Sequence, residues 1–184
     1  MNQHDMTRNM VLAALFAALT AIGAFLQIPT GTVPITLQFL FTALAGLLLG
    51  WKWGAVSQLL YVGIGLLGLP VFTQGGGIGY VLQPSFGFLL GLIPAAAVIG
   101  ALTARRTGYL TVLAAVLVGD LILYAVGVPY MYLILHVYMQ SAKTFPALLA
   151  AMLVYVPGDT LKIVAVTALA PVLRRTLAKA VPNL

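Results

Sequence analysis

The chain has 184 residues, of which 62% are hydrophobic and only 7% charged, with a net charge of +6 and no cysteine. A soluble domain of this size needs several times more charge to keep its surface in water, whereas a lipid-facing surface needs none. Without thiols there are no disulfides, no thiolate catalysis and no Cys-ligated metal. The basic residues flank apolar stretches instead of forming a run interleaved with aromatics, which argues against a nucleic-acid-binding protein.

A helix crossing the hydrocarbon core needs about 20 apolar residues. Six stretches qualify: 10–28, 34–50, 53–70, 84–104, 108–127 and 146–173. The expected fold is an all-α integral membrane protein with six transmembrane helices, forming a single domain over residues 1–184. The first stretch follows Arg8 and ends in Ala21, Gly23 and Ala24, as a signal peptide would. It is long for one and five more stretches follow, so an uncleaved helix is expected. Ala13, Ala17 and Ala21 form one stripe of small residues along it, and Ala14 and Ala18 a second. Such stripes let helices approach closely, either within the chain or against a partner subunit.

The loop 29–37 (Pro-Thr-Gly-Thr-Val-Pro-Ile-Thr-Leu) carries no charge. Trp51, Lys52 and Trp53 between the second and third stretches form an interfacial anchor. The loop 70–86 is also uncharged and contains Gly75-Gly76-Gly77-Ile78-Gly79-Tyr80 and Gln83-Pro84-Ser85-Phe86. Its Gly, Gln and aromatic residues suit a cover that hydrogen-bonds a neutral ligand, or a plain flexible turn. Beyond the fifth stretch, 128–142 is apolar, begins at Pro129 and is rich in Tyr. An interfacial or re-entrant helix is expected there, not a seventh crossing. With six crossings, Arg8, Lys52, Arg105, Arg106, Arg174, Arg175 and Lys179 share one side and only Lys143 lies on the other. The positive-inside rule then places both termini in the cytoplasm.

Asp159 and Lys162 stand at i and i+3 in the sixth stretch, on one helix face, just after a Pro157-Gly158 pair expected to break or kink it. Ionisable groups inside a membrane are costly and usually face a protein interior. The pair offers an acceptor beside a donor, which suits the N–H and C=O of a cyclic urea; a plain ion pair pinning two helices is the alternative. Asp120, the one charge in the fifth stretch, is open to a functional or a structural role. Thr36, Gln38, Gln58, Gln74, Gln83 and Tyr124 are further polar groups able to point inward. His136 reads as interfacial, and with His4 the only other His no metal site is expected. The Gly-rich loop lacks Gly-Lys-[Ser/Thr], so it is no P-loop, and no catalytic constellation appears.

Four segments together resemble BioY, the biotin-specific substrate-binding (S) component of energy-coupling factor transporters. They are Val33-Pro34-Ile35-Thr36-Leu37-Gln38, Gly68-Leu69-Pro70-Val71-Phe72, the stretch from Gly79 to Gly91, and Val156-Pro157-Gly158-Asp159-Thr160-Leu161-Lys162. The order and spacing of the segments extend the resemblance over almost the whole chain. The departures are Ser85 and Phe88, where the family pattern has Thr and Tyr. The resemblance implies a six-helix bundle in the plasma membrane that binds biotin near its outer face, not an enzyme and without a cofactor. It implies ligand contacts from Asp159 and Lys162, and places Tyr80, Gln83, Ser85, Phe86, Thr36 and Gln38 at the site. Phe86, Phe88 and Tyr80 would wall the apolar part of the ligand. The Ala stripes of the first helix would face the transmembrane coupling (T) protein, which sits on two ATPases. The residues alone reach less far: an S component for another vitamin, or a structural assembly subunit with no ligand, fits them too.

Overall fold

A computed structural model describes residues 3–30, 33–106 and 108–180 of the chain, and the side chains of His4 and of residues 177–180 are outside that description, as are Gly31 and Thr32 of the first loop. The helices are α1 (Gln3–Phe25), α2 (Gln38–Leu66), α3 (Phe86–Leu102), α4 (Tyr109–Leu133), α5 (Phe145–Met152) and α6 (Val156–Ala180). Two short strands, β1 (Gln27–Ile28) and β2 (Ile35–Thr36), pair antiparallel with Gln27 opposite Thr36. Among the described residues, Asp5–Phe25, Gln38–Leu66, Tyr109–Tyr138 and Phe145–Thr176 are long and apolar enough to cross a membrane, and Phe86–Leu102 is a shorter apolar helix.

The bundle has its polarity inverted relative to a soluble protein. Leu15, Ile22, Leu110, Leu121, Leu161 and Val164 are exposed, while Thr20, Thr42, Ser57, Gln58, Thr103 and Thr167 are buried. Lipid accepts the apolar surface, so buried polar groups need partners inside the protein. Gln58 is completely buried and finds them: it accepts from Thr42 Oγ1 at 2.9 Å and donates to Ser57 Oγ at 3.0 Å and Thr20 Oγ1 at 3.3 Å.

That knot requires α2 to double back. Thr42 and Gln58 are 16 residues apart, which a straight helix would separate by about 24 Å. The reversal is at Gly50, with φ 76° and ψ 179°, a backbone state essentially confined to glycine. Its two arms, 38–49 and 51–66, lie so close that a Cβ on Gly54 would stand 2.8 Å from Gly46 Cα. The expected second and third stretches are these arms. α1 and α3 flank α2, α4 packs on α3, and α6 lies against α2 and α4.

Residues 128–142 depart from expectation. α4 runs through Pro129 to Leu133 and continues as a π-helical turn, Ile134–Tyr138. Val128, Met131, Ile134 and Leu135 are all buried at helical spacing, so packing sustains the helix past the proline. No separate interfacial helix begins there. In the last stretch the interruption falls at a 3₁₀ turn, Leu153–Tyr155, between α5 and α6. Pro157 then sits in the first turn of α6, where a missing N–H sacrifices no helical bond.

Candidate functional site

The early start of α6 sets the site. Asp159 and Lys162 project inward from its first two turns and are only 6% and 8% exposed. Lys162 Nζ is 2.5 Å from Asp159 Oδ1 and donates to the Thr36 carbonyl at 3.3 Å. Tyr124 of α4 donates its hydroxyl to Asp159 Oδ2. Both carboxylate oxygens are therefore engaged, and the ion pair ties α6 to α4 and to β2. A buried pair held by extra hydrogen bonds offsets much of its desolvation cost. Lys162 has three N–H donors, so one remains for a ligand acceptor.

A relay of polar groups continues from β2. Thr36 Oγ1 donates to Gln38 Oε1 at 2.8 Å, Gln38 Nε2 donates to Tyr61 Oη at 2.8 Å, and Tyr61 donates to the Val71 carbonyl at 3.1 Å. A second polar group forms on the 67–85 loop, where the Tyr80 hydroxyl meets Thr73 Oγ1 at 2.9 Å and Ser85 Oγ at 3.5 Å. That loop is well anchored. Phe72 is 1% exposed and packs on Tyr61 and Tyr80, and Tyr130 of α4 donates to the Val81 carbonyl at 2.6 Å.

Between the two polar groups lies a cavity of about 630 Å³, counted with its open mouth. Phe39, Phe88, Leu89, Leu92, Leu123 and Met152 supply its apolar wall, and Val33, Pro34 and Ile35 its rim. The mixture of apolar wall with few polar groups is that of a small-molecule site.

Six of the expected site residues line this cavity: Asp159, Lys162, Tyr80, Ser85, Thr36 and Gln38. Gln83 does not, and is exposed on the loop. Phe86 is buried behind the wall, its ring 6.4 Å from Tyr80 and 5.8 Å from Tyr130, while Phe88 reaches the cavity. Tyr124, Thr73 and Tyr155 also line it. Tyr155 was findable, since it precedes Asp159 by four and Lys162 by seven residues, one helical face. Thr73 carried no such signal, because only the loop's folded course brings it in.

Other candidates lie elsewhere. Gln58 serves the helix-packing knot and Gln74 is exposed. Asp120 is half-buried outside the cavity lining, and its Oδ1 is buried without a hydrogen-bond partner among the described residues. His136 is exposed and stacks on Tyr132 at 5.3 Å. The alanine stripes of α1 divide. Ala13 and Ala17 are buried in the chain's own core and Ala21 is half-buried, so internal packing already uses that stripe. Ala14 and Ala18 face outward.

Comparison with known proteins bears on this arrangement. The BioY family model matches residues 1–179. A protein of Lysinibacillus sphaericus named a probable biotin transporter BioY is 50% identical over 79% of this chain and 75% of its own length. The biotin transporter BioY of Rhodobacter capsulatus is 40% identical over 97% of both chains. The crystal structure of the S-component for biotin from an ECF-type ABC transporter superposes with a TM-score of 0.83, covering 95% of each chain at 29% identity. These are transporter proteins, not enzymes, and with a matched family model over nearly its whole length the chain belongs to the BioY family.

Proposed function

We propose that this protein is a biotin-binding S component that captures biotin at the outer face of the plasma membrane. The observation that carries the proposal is the cavity that holds the Asp159–Lys162 pair between two polar groups and an apolar wall. A bicyclic urea with a carboxylate tail is polar at both ends and apolar between, which matches that order of surfaces. Asp159 accepts from an N–H and Lys162 donates to a C=O or a carboxylate. Thr36, Gln38, Tyr80 and Ser85 supply further hydrogen bonds, and Gln83 and Phe86 support the loop that covers the ligand. Biotin names on relatives of up to 50% identity support the choice of ligand.

In this reading the chain crosses the membrane six times with both termini in the cytoplasm. The two arms of α2 count as separate crossings, and the basic residues of the α1 start, the Gly50 turn, the α3–α4 loop and the α6 end gather on the inner side. Transport is driven by a T protein carrying two ATPases, with the outward Ala14 and Ala18 of α1 as the docking stripe.

Calorimetric titration of biotin into the purified protein in detergent tests the assignment. Tight binding is expected from the native chain, with at least a roughly hundredfold loss in both Asp159→Asn and Lys162→Gln, since each variant leaves a buried charge unpaired. Unlabelled vitamins of other types should not compete. A folded, monodisperse native protein free of co-purified biotin that fails to bind it would overturn the proposal.

A further inference from the structure

A second cavity opens beside the first, against α5. It is bordered by Thr30, Lys143, Leu148, Met152 and Tyr155. Met152 and Tyr155 line both cavities, so the two adjoin at those side chains. Tyr155 makes the partition by donating to the Val33 carbonyl and bonding Thr30 Oγ1 at 2.9 Å.

The charge pattern around this cavity is one-sided. The chain has three acidic residues. Asp5 pairs with Arg8, Asp159 pairs with Lys162, and Asp120 lies in the middle of α4. Lys143 is exposed and has no carboxylate partner among the described residues. Among the described lysines and arginines, its ammonium and that of Lys162 are the cations at this end of the bundle. Arg174 bonds Leu47 and Thr103 at the opposite end, and Gly100, near Arg105 and Arg106, lies against Trp51 there. An unpaired cation at the mouth of a low-dielectric cleft focuses its field outward and raises the encounter rate of anions.

We propose that the cavity beside α5 is the vestibule of the ligand site, and that Lys143 there receives the carboxylate of the incoming ligand before it passes Tyr155. This rests on the reading of biotin, a monocarboxylate, as the ligand. Lys143 accelerates capture without holding the bound ligand, because Lys143 does not line the inner cavity. The passage lies between α5 and the β1–β2 hairpin, not through the 67–85 loop.

The test is the association rate of tritiated biotin with the whole purified protein in neutral detergent, beside that of tritiated biotinamide, which lacks the charge. In Lys143→Gln the rate for biotin should fall roughly fivefold at low salt, as expected for loss of one close solvent-exposed charge. It should converge on the native rate at high salt. The dissociation rate and both rates for biotinamide should match the native protein, and Lys143→Arg should keep the native rate for biotin. Equal biotin rates in native protein and Lys143→Gln at low salt would overturn the vestibule, as would an equal loss for biotin and its amide. Failure of the biotin reading shows separately, as absence of binding in the native protein.

Discussion

At the level of single residues, Asp159 shows how a membrane interior holds a charge. Its oxygens are divided between Lys162 and Tyr124, from its own helix and from α4. Removing one donor leaves a buried carboxylate oxygen short of a hydrogen bond. Tyr124→Phe should lower the stability of the ligand-free protein by about 1.5–3 kcal/mol, a typical loss for a hydrogen bond to a charged group. Thermal unfolding in detergent, followed by circular dichroism, reads that directly. The Asp159–Lys162 pairing was legible from the sequence because one helix face dictates it. Its third and fourth partners were not. Tyr124 and the Thr36 carbonyl come from elements distant along the chain, and only packing decides which inward polar group meets which.

Among elements, hydrophobic length told where helices lie and backbone torsion told where they turn. The apolar stretches 34–50 and 53–70 are visible as composition, but their folding into a closed hairpin depends on Gly50. A Cβ at Gly50 meets nothing within 4 Å, so its substitution is a torsional test free of collision. Gly50→Ala should cost about 1–3 kcal/mol of stability. Gly50→Asn should give no rescue, because ψ 179° lies outside the left-handed helical region that Asn tolerates. Melting temperatures of the two variants check both points. The opposite lesson comes from Pro129, where a local breaking signal is overruled. The four residues Val128, Met131, Ile134 and Leu135 bury one continuous face, and tertiary packing outweighs one lost hydrogen bond.

For the whole molecule, the two ends do different work. The end bearing the β hairpin and the 67–85 loop holds the cavity. The other end is tied by Arg174 of α6, which donates to the Leu47 carbonyl through Nε at 3.2 Å and Nη2 at 2.7 Å, and to the Thr103 carbonyl at 3.5 Å. Leu47 is near the end of the first α2 arm and Thr103 follows α3, so Arg174 caps carbonyls at two helix ends. Arg174 thus closes α6 onto α2 and α3 far from the ligand site. Arg174→Ala should destabilise the fold by about 1–3 kcal/mol, the scale of leaving buried carbonyls unmade. Biotin affinity should stay within about twofold of native, since additivity holds between distant sites. Chemical denaturation and calorimetry on the same preparation separate the two effects.

The reversal at Gly50 also bears on how the chain is made. The arm 38–49 is about 18 Å long, too short to be retained in a bilayer as a helix of its own. In the topology proposed above it enters together with the arm that follows, as a paired insertion that returns the nascent chain to the face it came from. One glycine therefore sets the direction of everything synthesised after it: in the six-crossing topology proposed above, a helix continuing through residue 50 would deliver Arg105, Arg106, Arg174 and Arg175 to the opposite face.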